Sequence, residues 1–507
     1  MDKINKFKII IFKCLCLIFA IPVLTACNTE GEDESRIFYI ETQEDFDKYS
    51  GTEFSAGSKI LFAAGTEFQG EFVIKGSGTE ESPNLITAYN PENKTIYGEW
   101  TDNKPVINGL GKVNAPVYLY NGQHWEINNL EVTNTDGSDN DQGDLRGIYV
   151  VAENSGTMEN ITIKNCYIHD VNGKVGGKMR GGIHVHVLGD SVKTKFHNLL
   201  IDSNVVKNVG GVGIGNQSSW PNIDKEDYYP WTGVIIRGNH VERTGRNGII
   251  VRYSMEPLVE YNVLAFNSRH STGHSVFNFN TIGCIVQYNE AYGNTSADPD
   301  DIDHGGFDAD YNSRGTIIQY NYSHDNNWFC GIMRRGINTD VTIRYNISQN
   351  ELLGAYKYGF PTEMGLKDVK VYNNTHYFGK GKGNRVFVAA GKVRIPIETT
   401  FSNNIFYFED EAEWGFEPDS TCFFENNLFY NVSAKGTNAL VEDPLFVNPG
   451  SGETNIDMRD PQRLPGYKLK ENSPGIDAGV PVNENGGSDF WGNSLYTGLP
   501  DIGAHEQ

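Results

Sequence analysis

Ile201-Asp-Ser-Asn204, Ile236-Arg-Gly-Asn239, Val259-Glu-Tyr-Asn262, Val286-Gln-Tyr-Asn289, Ile318-Gln-Tyr-Asn321 and Ile343-Arg-Tyr-Asn346 repeat one short template. An apolar residue is followed three positions later by Asn. The slot recurs at Asn374, Asn404 and Asn427, and Cys166 takes it one coil earlier. Spacings range from 23 to 38 residues, so coils of constant pattern carry loops of variable length. Each unit holds short alternating segments rich in Ile, Val, Tyr and Phe, punctuated by Gly and Asn, and none sustains a helical period. Strands that stack coil upon coil pair in parallel. Asn at the turn tolerates a left-handed backbone, and stacked Asn side chains can bond along the column. The pattern predicts an all-β solenoid over a propeller or a sandwich.

From Phe38 to Gln507 the repeat resembles the right-handed parallel β-helix enzymes of the pectate-lyase-like superfamily. The resemblance implies a single-stranded β-helix with an N-terminal cap over about 38–110 and a C-terminal cap over about 440–507. The second cap is marked by Asp443-Pro-Leu-Phe446, Ser473-Pro-Gly-Ile-Asp-Ala-Gly479 and Asp501-Ile-Gly-Ala-His-Glu506.

Residues 1–26 read as a targeting segment, with Lys3, Lys6 and Lys8 ahead of an apolar run from Ile9 to Leu24. Leu24-Thr25-Ala26-Cys27 resembles a bacterial lipobox, which implies cleavage before Cys27 and a lipid on its thiol. Residues 27–37 then form an acidic tether. In lipoproteins of the Bacteroidetes type a similar stretch goes with export to the outer-membrane surface, so the expected membrane contact is the lipid anchor alone. Past residue 26, 38 Lys and Arg stand against 64 Asp and Glu, which argues against a nucleic-acid partner. The remaining cysteines, Cys166, Cys284, Cys330 and Cys422, are far apart, so buried thiols are expected rather than zinc or disulfides. A monomer is expected.

The third strand of each coil carries the candidate site. Aligned on a leading Gly or Ser, these strands begin at Gly147, Gly182, Gly248, Ser275, Gly306, Gly331 and Gly354. Alternation then points Tyr149, His184, Ile250, Phe277, Asp308, Met333 and Tyr356 outward, followed by Val151, His186, Arg252, Phe279, Asp310, Arg335 and Tyr358. Arg334 and Lys357 fall at inward positions, which signals a bulge or a slipped register. Asp is depleted in strands, so Asp308 and Asp310, about 6.6 Å apart by backbone rise, are the central candidates. Phe277 and Phe279 suit stacking on sugar rings. Arg252, Arg334, Lys357 and Tyr358 are candidate substrate contacts, and Arg335 and His304 join the two aspartates as candidate catalytic residues, His304 as a base. The loop Asp298-Pro-Asp-Asp-Ile-Asp-His304 is dense in oxygens; Asp301 and Asp303 could hold Ca²⁺, although a solvated acidic loop is the commoner reading of such a stretch.

Two reactions fit. β-Elimination on a uronate-containing polysaccharide or oligosaccharide needs cations for the C6 carboxylate together with a base and an acid. The basic surroundings of Asp308 and Asp310 favour this carbon–oxygen lyase. Inverting hydrolysis needs two carboxyls about 6.5–9.5 Å apart, which the spacing of Asp308 and Asp310 allows. A non-catalytic glycan-binding surface protein would need the aromatics but not the paired carboxylates.

Overall fold

The computed structural model describes residues 34–138, 143–296, 303–359, 365–389, 398–418, 420–495 and 498–507. Residues 36–507 form one compact unit. Its strands stack into three long parallel sheets of 15, 13 and 12 strands, with a small sheet of three beside them. This is the expected parallel β-helix. One coil contributes Lys195–Asp202 to the first sheet, Val205–Val209 to the second and Val212–Ser218 to the third. Inward Ile, Val and Phe side chains of all three sheets merge into one continuous core. No helix among the described residues is long and apolar enough to cross a membrane.

The Asn template sits at the turn between first and second sheets. Oδ1 of Asn239 accepts from the backbone N–H and the side-chain Nδ2 of Asn204, both at 3.0 Å. The same two bonds link Asn239 to Asn262, Asn262 to Asn289, Asn289 to Asn321 and Asn321 to Asn346. They continue through Asn374 and Asn404 to Asn427. Each Nδ2 also donates to a carbonyl of the coil below, as Asn321 does to Val286 at 2.9 Å. The left-handed residue is the one before the ladder Asn: Ser203, Tyr261, Tyr288, Tyr320 and Tyr345 have φ between 48° and 57°. The ladder Asn is therefore selected for its amide and not for backbone tolerance. Cys166 ends the column by donating its N–H to Asn204 Oδ1 at 3.0 Å.

Both ends carry detail that the sequence reading does not contain. Gln43–Tyr49 is a short α-helix whose N-terminus is closed by reciprocal bonds between Thr42 and Asp45. It covers the open end of the core by inserting Phe46 against Phe62, Phe68 and Phe72. Seven residues are too few for a helical period to show. The C-terminal segment lies along the flank. Glu290 accepts from the N–H groups of Asn455 and Ile456, and Tyr320 donates to the Ser488 carbonyl. Further along, Asn403 and Asn373 donate to Val480 and Asp501 carbonyls. Cys166, Cys284 and Cys330 are buried free thiols, but Cys422 is partly exposed.

Asn321→Ala should cost about 3 kcal/mol or more, because it leaves buried partners on both neighbouring coils without their bonds. Urea unfolding at neutral pH would measure it, and a loss under about 1 kcal/mol would show the ladder to be dispensable at that coil.

Candidate active site

The third sheet positions the site through consecutive strands Ile249–Arg252, Gly273–Phe279, His304–Ala309, Trp328–Met333 and Gly354–Gly359. Register pairs Ile250 with Phe277, Phe277 with Asp308, Asp308 with Gly331 and Gly331 with Lys357. The outward column is therefore Ile250, Phe277, Asp308, Gly331, Lys357. This corrects the sequence alignment beyond Asp308, which slips by two residues at the first step and leaves the second off by one. The reason is packing. Cys330 and Ile332 fill the core, and so do Tyr356 and Tyr358, whose size hides them among the apolar inward positions.

Several assignments change with the register. Tyr358 is not a substrate contact: it is fully buried, with its hydroxyl 3.0 Å from that of Thr399. Lys357 points outward and its ammonium bonds Asp303. Arg335 lies past the strand, exposed, with its guanidinium 5.2 Å from the Tyr311 ring centroid. Arg334 is buried just after the strand, with its backbone N–H bonded to the Gly359 carbonyl. Phe277 is buried against Val212, Ile250 and Phe279, so it offers no open stacking face. Phe279 is half-buried, edge-on to Tyr253 and Tyr311. Arg252 is buried and donates to Gln217 and to the Lys178 carbonyl. His304 opens its strand as a buried residue rather than lying in a solvated loop.

Asp308 stands at the centre, only 3% exposed. Its Oδ2 is 3.1 Å from His274 Nδ1, and its Oδ1 has no hydrogen-bond partner. The slot for that oxygen exists because residue 331 is Gly: a Cβ there would stand 2.7 Å from Oδ1. His274 belongs to the strand and pairs with Gly305. Its Nε2 lies 3.6 Å from Asp303 Oδ1, and its ring packs edge-on to Trp328. Asp303 thus joins the site. Its side chain is 36% exposed, the most open of the three carboxylates. Asp310 follows the strand, 8% exposed, and accepts the Tyr311 N–H at 2.8 Å. Lys178 was also missed. It arrives on a loop from three coils earlier, and its ammonium sits 4.1 Å from the Phe277 ring centroid.

The three carboxyls are held in different protonation states. Burial pushes Asp308 well above the usual carboxylate range, and the charges of Asp310 and Asp303 add to the effect. Burial also raises Asp310, to about 6, against the pull of Lys178 and the Tyr311 N–H. Burial works against ionising Asp303 too, but His274 when charged, Lys357 and Lys178 outweigh it and hold its pKa below the ordinary value. Burial lowers His274 to about 3, so at neutral pH Asp308 faces a neutral imidazole. Asp301 lies outside the described residues, and Asp303 already has an ammonium on the oxygen a cation would take. Among the described residues no three His, Cys, Asp or Glu side chains gather as a metal site.

A parallel β-helix with a carboxylate cluster on its third sheet defines the structural class. The chain matches no established protein-family profile. It is 27% identical to a lacto-N-biosidase of Bifidobacterium longum subsp. longum over 90% of its own length. It spans 34% of that relative's length. Its structure is similar to the crystal structure of the GH136 lacto-N-biosidase from Eubacterium ramulus, with a TM-score of 0.56 and 22% identity, covering 71% of this chain and 68% of that one. A mannuronic acid specific polysaccharide family 6 lyase from human gut microbiota aligns with a TM-score of 0.45 and 14% identity, covering 80% of this chain and 91% of that one. At these identities the structural likenesses speak to the fold alone.

The raised carboxyls leave a trace in stability. The native state keeps Asp310 protonated above the ordinary carboxylate value of 3.8, so it binds more protons than the unfolded chain and stability falls as pH rises toward about 6. Asp310→Asn should remove that part of the fall. Urea midpoints of both proteins across this pH range would test it, and parallel curves would show that burial does not hold the proton.

Proposed function

We propose that this chain is a carbohydrate-active enzyme, a glycoside hydrolase in which Asp310 protonates the leaving glycosidic oxygen and ionised Asp303 acts at the anomeric carbon or on its water. The observation that carries this reading is one site holding carboxylates whose environments push their pKa values apart, the usual mark of an acid and its partner. Asp303 and Asp310 are also more accessible than Asp308. Asp308, recessed against His274 and Gly331, acts as a positioning residue. The named activity of the Bifidobacterium relative supports glycosidase chemistry and suggests oligosaccharides ending in lacto-N-biose as first substrates.

The elimination reading rests on cations waiting for an uronate carboxylate. Lys357 is engaged by Asp303, and Arg252 by Gln217 and a backbone carbonyl. Arg335 is displaced from the column. These partners weaken the case for an acidic glycan and favour the hydrolase.

Purified protein would be offered an aryl lacto-N-bioside, lacto-N-biose-terminated oligosaccharides and a panel of uronate glycans. New reducing ends without ultraviolet absorbance are expected. Asp303→Asn and Asp310→Asn should each lose about 10²-fold or more, and Asp308→Asn less. Activity should decline as pH rises through about 6, where Asp310 loses its proton. Absorbance from a new C4–C5 double bond would transfer the assignment to a lyase. Unimpaired glycan binding without turnover, in both wild type and the Asp303→Asn, Asp310→Asn double variant, would leave a binding protein.

Export as a lipid-anchored surface protein is proposed on the lipobox at Leu24-Thr25-Ala26-Cys27. Wild-type cells should incorporate labelled palmitate into the protein and Cys27→Ala cells should not; label on the variant would refute the anchor.

A further inference from the structure

Lys178 belongs to a segment that the chemistry above does not explain. Between Tyr167–Val171 of the second sheet and Gly181–Leu188 of the third, the chain runs through residues 172–180. The next coil makes the same passage with Gly210 and Gly211 alone. The longer segment reads Asn172-Gly-Lys-Val-Gly-Gly-Lys-Met-Arg180, so its middle is free of bulky backbone restraint at Gly176 and Gly177. Both of its ends are fixed. A Cβ on Gly210 would stand 2.8 Å from the Gly173 carbonyl oxygen, and one on Gly211 would stand 2.1 Å from that of Arg180. The segment leaves and rejoins the helix where only glycine allows two turns to stack.

From those fixed ends it extends along the third sheet. Lys178 reaches Phe277 on a strand three coils away, about 14 Å by strand spacing. Three arginines of the helix hold it from below through its own carbonyls. Arg246 Nη1 donates to Val175 O at 3.0 Å, Arg252 Nη2 to Lys178 O at 2.9 Å and Arg146 Nε to Met179 O at 2.8 Å. Arg180 pairs with Asp144. Charged donors on backbone carbonyls are strong while closed, and each guanidinium can turn to water or to a sugar oxygen when released. Asp308 and Asp310 lie on the same face, and neither is open enough to meet a pyranose in this state.

We propose that residues 172–180 form a lid that lifts to admit substrate and, on closing, brings Lys178 to the carboxylates as a positioning residue. The proposal rests on the carboxylate site assigned above and adds a residue and a motion to it. Lys178 would serve by charge. Asp310 faces Asp308 on its own strand, Asp303 from the preceding loop, Arg252 from below and Lys178 from the lid. The lid ammonium is the strongest of the cationic influences on Asp310, and burial leaves Lys178 at about 8, still largely charged at neutral pH. In the closed state Lys178 thus moderates the rise that burial imposes on Asp310.

The experiment uses the full chain, with Lys178→Met and Lys178→Arg variants. Hydrogen exchange read by mass spectrometry should show the peptide covering 172–180 opening faster than the strands on either side. Lys178→Met should open it further, and a cleavable oligosaccharide should slow it. Exchange as slow as in the flanking strands would overturn the lid. In Lys178→Met the Asp310 proton is held to higher pH, so both the high-pH limb of the rate profile and the pH window of falling stability should move upward, with a several-fold rise in KM; Lys178→Arg should restore them. Unmoved profiles would overturn the role of Lys178. Exchange and stability need no turnover. If no glycan is cleaved while lid opening and the stability shift are both seen, the hydrolase reading fails and the lid stands.

Discussion

The bond between one ladder asparagine and the next sets the geometry of this protein. Each amide accepts from the coil below and donates to the coils on both sides, so a coil cannot shift along the axis without breaking buried bonds in both directions. The ladder also fixes the phase of each coil, since a one-residue slip would turn a whole inward set to solvent. Loops at the other two corners can then grow or shrink without disturbing the stack. The two-residue passage at Gly210 and the nine-residue lid at 172–180 coexist in adjacent coils for that reason.

A rigid stack makes possible a site that is costly to hold together. Asp308 is buried, its Oδ1 is unpartnered, and it sits among carboxyls that repel its charge. A flexible surface would relieve this by exposing the carboxyl. Here the strand backbone is bonded on both sides, to Gly273–Phe279 and to Trp328–Met333. The carboxyl responds by keeping its proton. Gly331 opposite it removes the one side chain that would push it outward. The unlike pKa shifts within one site follow from unlike contacts: Asp303 bonds the Lys357 ammonium, while Asp308 is more deeply buried against a neutral imidazole.

The fold was legible because its determinant is a short, repeated sequence pattern. The site was legible in part. Asp308 and Asp310 were found because carboxylates on an alternating strand violate strand preference. The rungs beyond them were misaligned because the leading glycine is not a fixed register mark. In Trp328–Met333 the glycine at 331 takes the outward slot opposite Asp308, and in Gly354–Gly359 two tyrosines occupy the core. His274 was passed over because the alignment began its strand one residue later, at Ser275, whereas the strand starts at Gly273. Lys178 could not have been placed, since its contact with Phe277 crosses three coils. The cap helix at Gln43–Tyr49 is shorter than two helical turns and leaves no periodic signal.

The paired state of the cations bears on what the groove can accept. Unopposed basic groups on an outward column would repel one another unless an anion filled the groove, and that repulsion is what makes such a cluster point to an acidic sugar. Once Lys357 lies on Asp303 and Arg252 on Gln217 and the lid carbonyl, the argument loses its premise. Of the three carboxyls, Asp303 is held ionised, while burial raises Asp308 and Asp310. A site of that kind gains little from a uronate, whose carboxylate would have to displace Asp303 from Lys357. A neutral sugar need displace nothing: its hydroxyls can take the arginine donors released from the lid carbonyls as the segment lifts. The Lys357–Asp303 pair and the proposed lid thus support the proposed hydrolase from different residues.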